Sequence, residues 1–209
     1  MSETVTLTEI KTTRKGRYAL FCDGEFLFSV DEETLVKHDL KEGTVLTRPE
    51  VEKLSRESDL HAAREKAYAY LSMRDYGERE LYRKLCRTYD PHTCAAVTAR
   101  LKELGLLNDA AFAAKLAEEM RRKGKSAAEI RNKLREKGVD RETAEAVLGE
   151  EEDETETVRG IIESGYLRKL SGEDGYRKVF AALARRGFRS ADIRRALAFY
   201  TEEGDDGDE

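Results

Sequence analysis

The sequence predicts a mainly α-helical protein, with three tandem three-helix repeats in an elongated curved array after a small β-rich N-terminal domain. The repeats are predicted by apolar residues that recur every 49 positions, a spacing typical of tandem structural units. The recurring positions are Leu81, Ile130 and Val179 in one series and Leu85, Leu134 and Leu183 in another. The β-rich domain is predicted because the first residues alternate with the period of a strand.

The first fifty residues are expected to form the β-rich domain. Two β-prone runs, Arg17 to Cys22 and Glu25 to Val30, are joined by Asp23-Gly24, which is a strong hairpin signal. The stretch from Val5 to Ile10 alternates and predicts a further strand. A three-stranded piece this short is marginal alone, so we expect it to pack on another element. Its small core is expected to contain Tyr18, Phe21, Phe26 and Phe28.

Residues 51–106 are predicted to contain a connecting helix and the first three-helix repeat. A capping box that starts at Thr47 indicates where the connecting helix begins. The helical pattern of the repeat itself starts at His61. Gly77 and Asp90 are predicted N-caps of its second and third helices, because both residue types are favoured at that position.

Residues 107–152 are predicted to form the second repeat, with N-caps at Asn108, Ser126 and Asp140. Gly124 is expected to end the first of its helices. The apolar face of that helix is expected 49 residues after its counterpart in the first repeat. The two faces are Phe112, Leu116 and Met120 against Ala63, Ala67 and Leu71.

Residues 153–201 are predicted to form the third repeat, which begins near Thr155 and has later caps within Ser171 to Asp174 and at Ser190.

This gives nine helices in three repeats. Each repeat presents about six large apolar residues, too few for an isolated core, so neighbouring repeats are expected to pack together. One compact bundle of all nine helices is the alternative. Residues 202–209 are expected to be a disordered acidic tail.

The composition argues against a membrane protein and against a secreted one. No apolar run approaches the roughly 18 residues that a membrane span needs. The N-terminus lacks the apolar core of a signal peptide, so a cytoplasmic location is expected. Cys22, Cys86 and Cys94 are odd in number and have no Cys-x-x-Cys spacing, which favours reduced, partly buried thiols.

The sequence offers no pattern that is typical of an enzyme. It has no Gly-rich phosphate loop, no serine in a nucleophile elbow and no informative Cys–His spacing. The three histidines are scattered, so no metal ligands are predicted among them. We therefore expect no catalytic residues, no metal and no cofactor.

The net charge of −5 conceals a segregation of charge along the chain. Residues 61–149 carry 19 basic and 14 acidic side chains, and residues 158–200 carry 10 and 4. The connector 150–157 and the tail 201–209 carry six acidic and no basic residues each. Basic helical blocks thus alternate with acidic segments.

Basic residues cluster in the second and third predicted repeats, and we interpret the clusters as a binding surface. The predicted contact residues are Arg121, Arg122, Lys123, Lys125, Arg131, Lys133, Arg135 and Lys137, followed by Arg185, Arg186, Arg189, Arg194 and Arg195. Helix C-termini also favour cations, which accounts for Lys123 and Arg186 without any partner. Because the clusters occur in successive repeats, a surface for phosphates or for acidic faces of a protein filament is preferred.

Five segments between residues 61 and 200 combine glycines, polar caps and apolar positions at fixed spacings. They are Tyr70-Leu71-Ser72-x-Arg74, Glu78-x-Glu80-Leu81-x-x-Lys84-Leu85, Gly105-Leu106-Leu107-Asn108-Asp109-x-x-Phe112-Ala113, Ile130-x-x-x-Leu134-x-x-Lys137-Gly138-Val139 and Arg185-Arg186-Gly187-Phe188. Together they resemble the repeats of the RecX family of recombinase regulators. Residues 1–60, with Gly24 and Leu40-Lys41-Glu42-Gly43, resemble the N-terminal extension that some members carry.

The resemblance implies a non-enzymatic cytoplasmic regulator of DNA repair and the SOS response that binds the RecA recombinase. It implies a position along the helical groove of the RecA–DNA filament and restraint, mainly inhibition, of the recombinase, ATPase and coprotease activities. The acidic segments oppose tight binding to free DNA, so single-stranded DNA is expected only as a secondary contact. A monomer is expected.

Two other functions fit the predicted helices. Three-helix units also occur in helix-turn-helix proteins that read duplex DNA, and this is the main alternative. A helical-repeat scaffold for another protein is the third interpretation. A sequence-specific reader should prefer one duplex site, whereas a scaffold should neither bind DNA nor affect the recombinase.

Overall fold

The computed structural model describes residues 4–14, 16–149 and 153–202, which divide into two compact units between Leu107 and Asn108. The first unit contains β1 (Thr4–Thr6), β2 (Glu9–Thr12), β3 (Tyr18–Cys22), β4 (Glu25–Val30), α1 (Glu32–Lys37), β5 (Val45–Thr47), α2 (Arg48–Met73), α3 (Glu78–Leu85) and α4 (Pro91–Glu103). The second contains α5 (Asp109–Arg122), α6 (Ala127–Lys137), α7 (Arg141–Leu148), α8 (Thr155–Gly165), α9 (Leu167–Leu170), α10 (Gly175–Arg185) and α11 (Ser190–Glu202). Apart from Glu202, the predicted acidic tail lies outside the described residues.

The strands of the first unit form two antiparallel sheets, with the order β2–β3–β4 in one and β1–β5 in the other. Between β3 and β4, Asp23 and Gly24 have φ values of 49° and 85°. Positive φ at both central residues is the requirement of a type I′ turn, whose twist matches that of the flanking strands. The predicted hairpin is therefore confirmed.

The stretch from Val5 to Ile10, predicted as one strand, belongs to two strands in different sheets. The backbone N–H of Leu7 donates to the carbonyl of Thr44 at 2.9 Å, and that of Thr8 donates to Phe21 at 2.8 Å. The main chain therefore changes partner between adjacent residues. The side chain of Leu7 is fully buried at this point, so the switch places an apolar residue in the core.

The expectation that four aromatic residues form the core of the sheet is wrong for Phe26, which is 60% exposed. A register shift between Leu20 and Phe21 places Phe26 opposite Phe21, where the rings meet edge to face at 5.9 Å. Phe28 is buried, whereas Tyr18 and Phe21 are half-buried. The core consists of Leu7, Leu20, Phe28, Val30, Leu40, Leu46 and Leu54.

The connecting helix and the first helix of the first repeat, predicted separately, are one continuous helix of 26 residues, α2. No glycine or proline interrupts the chain between Pro49 and Gly77, so nothing forces the helix to break. Leu54 packs in the core of the sheets, and Ala63 and Ala67 pack in the core with α3 and α4. One helix therefore serves two cores.

A buried polar network attaches the three-stranded sheet to α2. The guanidinium of Arg17 donates to the Ser29 carbonyl at 2.6 Å, to Ser58 Oγ at 3.1 Å and to the Asp59 carboxylate at 3.2 Å. Ser58 Oγ also accepts from the Asp31 N–H at 2.9 Å and donates to the Asp31 carboxylate at 2.8 Å. Because Ser58 is fully buried, each lost bond would leave a polar group without water.

The apolar register predicted for the second helix of each repeat is confirmed by burial. These helices are α3, α6 and α10, and each buries two residues one turn apart with at most 1% exposure. The buried residues are Leu81 and Leu85, Ile130 and Leu134, and Val179 and Leu183. Residues four apart lie on one helix face, so each pair forms a ridge that points into its own core.

The first helices do not keep the predicted spacing of 49. In α5 the fully buried residues are Ala113 and Ala117, which follow Ala63 and Ala67 by 50 positions. The residues predicted for that face are only half-buried, namely Phe112, Leu116 and Met120. The ends of α2 and α5, at Met73 and Arg122, are still 49 positions apart, so only the buried face is displaced by one residue.

The second and third repeats are joined within the second unit by polar contacts and a close backbone approach. The buried Ser126 Oγ donates to the carbonyl of Arg186 at 2.7 Å, and the Arg186 guanidinium donates to the Gly124 carbonyl at 3.0 Å. At Gly187, which has φ +87°, a Cβ would lie 2.9 Å from Ser126 Oγ. Glycine is therefore required there by both conformation and space.

The third repeat departs from the predicted plan of three helices. It begins at Thr155 as expected, but the short α9 lies between α8 and α10, so the predicted total of nine repeat helices is wrong for the described residues. The packing of α9 explains Gly175, where a Cβ would lie 2.1 Å from the Leu170 carbonyl. Asp174, inside the predicted cap, is the N-cap of α10. Ser190 is the first residue of α11 instead of its cap.

The three cysteines are free thiols. Cys94 is buried in the core of the first repeat, and Cys22 and Cys86 are half-buried. Burial, together with the neighbouring Cys86, raises the pKa of Cys94 to about 12. The Cys94 thiol is therefore protonated at neutral pH and packs as a small apolar group.

We predict that Leu134→Ala lowers the free energy of unfolding by about 2–5 kcal/mol, because Leu134 is fully buried in the second-repeat core. Urea denaturation followed by circular dichroism measures the change. Lys133→Ala, one residue away on an exposed face, is the matched control and should change stability by no more than about 0.5 kcal/mol. Equal effects of the two substitutions would contradict the buried register.

Candidate functional site

A catalytic or metal-binding site would bring several titratable or metal-ligating side chains together. Within residues 4–14, 16–149 and 153–202, no three His, Cys, Asp or Glu side chains are grouped so as to hold a metal ion. In the same ranges, no helix combines the length and apolar character needed to cross a membrane. A cavity of about 710 Å³ lies between α2 and α4, and its lining mixes charged and apolar side chains. The predicted basic residues all belong to the second unit.

The first predicted group lies at the C-terminal end of α5. Arg121 is half-buried and donates to the Val147 carbonyl at 3.4 Å, a contact that ties α5 to α7. Arg122 and Lys123 are exposed, and Lys123 forms an ion pair with Glu119 one turn earlier. Cations at this end of a helix are also favoured by its dipole. Arg122 is therefore the member of this group most open to a partner.

The next two cations are held by carboxylates of the same repeat. Lys125 pairs with Glu129 at 3.0 Å across the first turn of α6. Arg131 of α6 forms two hydrogen bonds to Glu145 of α7, at 3.0 and 3.1 Å. The Arg131 hydrogen bonds lower the pKa of Glu145, so this pair stays ionised at neutral pH. Arg131 thus has a structural role in fixing α7 against α6.

The four cations of α6 do not form one continuous surface. Successive residues of a helix are rotated by about 100°, so residues four apart share a face. Arg131 and Arg135 therefore flank one side of the buried ridge, and Lys133 and Lys137 flank the other side. Lys133 and Arg135 are exposed, with Lys133 paired to Glu136 at 2.8 Å. The structure separates these residues into two strips.

Arg185 and Arg186 end α10 but face different surroundings. Arg185 is exposed, and its Nε donates to the carbonyl of Ala181 at 3.2 Å on the same helix. Arg186 is half-buried at the junction between the second and third repeats, where it donates to Gly124. The sequence pattern cannot distinguish them, since they are adjacent arginines. Their separation comes from packing between repeats.

Arg189 and Arg195 are held by Asp192, which is completely buried. Arg189 Nε lies 2.9 Å from one carboxylate oxygen of Asp192, and Arg195 donates to the other. Arg195 also contacts Thr155 Oγ1 and Asp153, both at 3.1 Å. A buried carboxylate needs such partners, because an unpaired buried charge is costly. Both arginines therefore neutralise Asp192, although each remains exposed on one side.

Arg194 has aromatic surroundings that the sequence interpretation missed. Its guanidinium carbon lies 5.8 Å from the ring centroid of Phe180, whose ring stacks in turn with Tyr176. A signal was available in the sequence, because Tyr176 and Phe180 are four residues apart and so share a helix face. The basic cluster predicted from the sequence therefore lacks the two aromatic residues that accompany Arg194 in the structure.

Family models match three parts of the chain. Residues 3–47 match the regulatory protein RecX N-terminal domain, residues 63–101 match the first three-helix domain of RecX, and residues 108–148 match its second three-helix domain. Together these matches cover more than half of the chain.

Curated relatives and solved structures agree with the models. The regulatory protein RecX of Listeria monocytogenes serovar 1/2a is 27% identical over 98% of this chain and 78% of its own length. That of Lactobacillus johnsonii is 35% identical over 83% of this chain and 65% of its own.

The fold is shared with two crystal structures of 23% identity. One, of regulatory protein RecX, has a TM-score of 0.68 and covers 93% of this chain and 99% of its own. The other, of RecX from Lactobacillus salivarius, has a TM-score of 0.62 over 67% of this chain and 95% of its own. From the three domain models and the aligned relatives, we conclude that this chain belongs to the RecX family of regulatory proteins.

Proposed function

We propose that this chain binds the RecA–DNA filament and restrains its recombinase, ATPase and coprotease activities. It acts in the cytoplasm as a monomer, without a cofactor and without catalysis of its own. Membership of the RecX family supports the regulatory role. The observation that carries the filament contact is the set of exposed cations on successive repeats. These are Arg122, Lys123, Lys133 and Arg135 in the second repeat, and Arg185, Arg189, Arg194 and Arg195 in the third.

The repeat plan suits a partner that is itself periodic. In this proposal the three repeats are residues 51–106, 107–152 and 153–201, and residues 1–50 are a separate N-terminal domain. Each repeat keeps its apolar ridge for its own core and leaves its charged faces available to a partner. Successive repeats then bind successive subunits of the filament, which blocks DNA exchange or biases subunit loss.

Ion pairs within the chain support a protein surface as the main partner over naked DNA. Lys123 pairs with Glu119, and Lys133 pairs with Glu136, so each cation has a carboxylate beside it. Phosphates would have to compete with these carboxylates and would meet their repulsion. A protein surface that presents both signs of charge can complement such pairs. Single-stranded DNA is therefore a secondary contact.

The charge of α7 disfavours the helix-turn-helix alternative. As the third helix of the second repeat, α7 occupies the place of a recognition helix, which would enter the major groove. It carries Glu142 in its first turn and Glu145 in its middle, against one arginine, Arg141. Glu145 is already paired with Arg131, and the exposed Glu142 would face the phosphates that line the groove.

Reversing the charges at the end of α5 should weaken inhibition of the RecA ATPase. For the double change Arg122→Glu and Lys123→Glu, we expect the half-inhibiting concentration to rise about fivefold. Two exposed charges at about 0.5 kcal/mol each sum to about 1 kcal/mol, which is roughly fivefold in affinity. The ATPase of RecA on single-stranded DNA is measured against rising protein concentration.

A charge-matched control places the same reversals on α3, at the exposed Arg79 and Arg83. It should inhibit like the unmodified chain, and both variants should keep the same circular dichroism spectrum. An unchanged inhibition curve for the α5 variant would exclude this group from the contact.

The preference for a protein partner can be tested by comparing two binding targets at about 0.15 M salt. Affinity for RecA assembled on single-stranded DNA should exceed affinity for the same DNA without RecA. Labelled protein and fluorescence anisotropy give both values. DNA contacts alone would give a steep salt dependence, with a slope near −0.7 per phosphate contact on single strands. Equal or tighter binding to naked DNA would contradict the proposal.

A further inference from the structure

The surface of α10 carries two aromatic rings whose faces are aligned. Tyr176 and Phe180 lie one helical turn apart, with ring centroids 6.4 Å apart and planes inclined by only 15°. Tyr176 is 44% exposed, and Phe180 is half-buried against the core of the third repeat. Tyr76 in the first repeat is buried by comparison. Tyr176 instead offers its ring to solvent.

Arg194 of α11 lies beside these rings and is also exposed. Its guanidinium carbon is 5.8 Å from the Phe180 centroid, close enough for a cation–π contact. Among the residues that the structure describes, no carboxylate forms an ion pair with Arg194, in contrast to the neighbouring Arg195, which pairs with Asp192. The positive charge of Arg194 is thus available at the edge of the aromatic pair.

In the second repeat, the corresponding pair of helices carries an ion pair at these positions. The positions 49 residues before Phe180 and Arg194 are Arg131 and Glu145. These two side chains neutralise each other through hydrogen bonds of 3.0 and 3.1 Å between α6 and α7. The third repeat replaces the closed ion pair with an aromatic ring and an arginine. Stability does not require this change, because the second repeat is held by the ion pair.

An exposed ring beside an arginine matches the chemistry of a single nucleic acid strand. Unpaired bases stack on aromatic side chains regardless of sequence, and nearby arginines neutralise the phosphates. The bases of a duplex are already stacked on one another and cannot use the ring. An acidic peptide would use the arginine but would leave the ring face without a partner. On the same helix, Arg177 pairs with Asp174 at 3.9 Å and Lys178 Nζ donates to the Glu173 carbonyl at 2.9 Å, so Arg194 is the main cation beside the rings.

We propose that Tyr176, Phe180 and Arg194 form a binding surface for single-stranded nucleic acid, with a base stacked on Tyr176 and a phosphate at Arg194. This surface deepens the proposed function, since it assigns the secondary DNA contact of the filament regulator to named residues. It rests on that function only for its biological setting. The binding itself needs no recombinase.

The test uses the full chain without RecA and measures anisotropy of two labelled strands at low salt. One strand is oligothymidine, and the other is an abasic strand of equal length and charge. The unmodified chain should prefer the strand with bases. Tyr176→Ala should abolish this preference and weaken oligothymidine binding about fivefold or more, as expected for loss of one stacked base. Tyr176→Phe keeps the ring and should retain both.

Arg194→Glu should weaken binding of both strands, because it removes a phosphate contact that does not depend on bases. Arg56→Glu is the charge-matched control, since Arg56 is a highly exposed arginine on α2. It should have a smaller effect than Arg194→Glu. The proposal is overturned if the unmodified chain binds the abasic strand or polyglutamate as well as oligothymidine. It is also overturned if Tyr176→Ala binds like the unmodified chain while keeping its circular dichroism spectrum.

The filament proposal fails by a different result. If oligothymidine binding follows the pattern above but the chain leaves the RecA ATPase unaffected, the aromatic surface stands and the filament role does not. If the ATPase is inhibited equally by the chain and by Tyr176→Ala, with no base preference, the filament role stands and the aromatic surface is rejected.

Discussion

Burial of one apolar ridge in each repeat is the constraint on which the rest of the structure depends. In every repeat the second helix buries two residues one turn apart, at no more than 1% exposure. Each fully buried side chain of this kind contributes about 1.5–3 kcal/mol relative to an exposed one. Because the ridge takes only one narrow face, the remaining faces of the helix are left to charged residues. The periodic core therefore permits a charged surface to vary without loss of the fold.

Variation on that constant core gives the second and third repeats different surfaces. The second repeat closes α6 against α7 with the ion pair of Arg131 and Glu145, whereas the third places Phe180 and Arg194 at the same positions. The third repeat also buries Asp192 and commits Arg195 to it. Arginines that are alike in sequence thus divide into those that complete the fold and those that remain open to a partner.

Local signals in the sequence were sufficient for the elements that depend on local interactions. The N-caps at Asn108, Ser126 and Asp140 accept hydrogen bonds from the helices that they begin, as their residue types predict. Features that depend on distant contacts could not be predicted this way. Asp192 reads as an ordinary surface carboxylate, and Gly175 reads as a turn residue. Only the folded chain reveals the two arginines around the first and the α9 carbonyls beside the second. In the candidate site, the sequence predicts which residues are basic, but only the folded chain shows that Arg131, Arg186 and Arg195 are bound to other parts of the protein.

We propose that the exposed cations of this helical-repeat protein contact the RecA–DNA filament. The most direct test adds the purified, unmodified chain to RecA on single-stranded DNA and follows ATP hydrolysis. Under this proposal each chain spans more than one subunit, so hydrolysis should fall and saturate at amounts of the chain below or near one per RecA subunit. Hydrolysis that remains unchanged at equimolar amounts of the chain would contradict it.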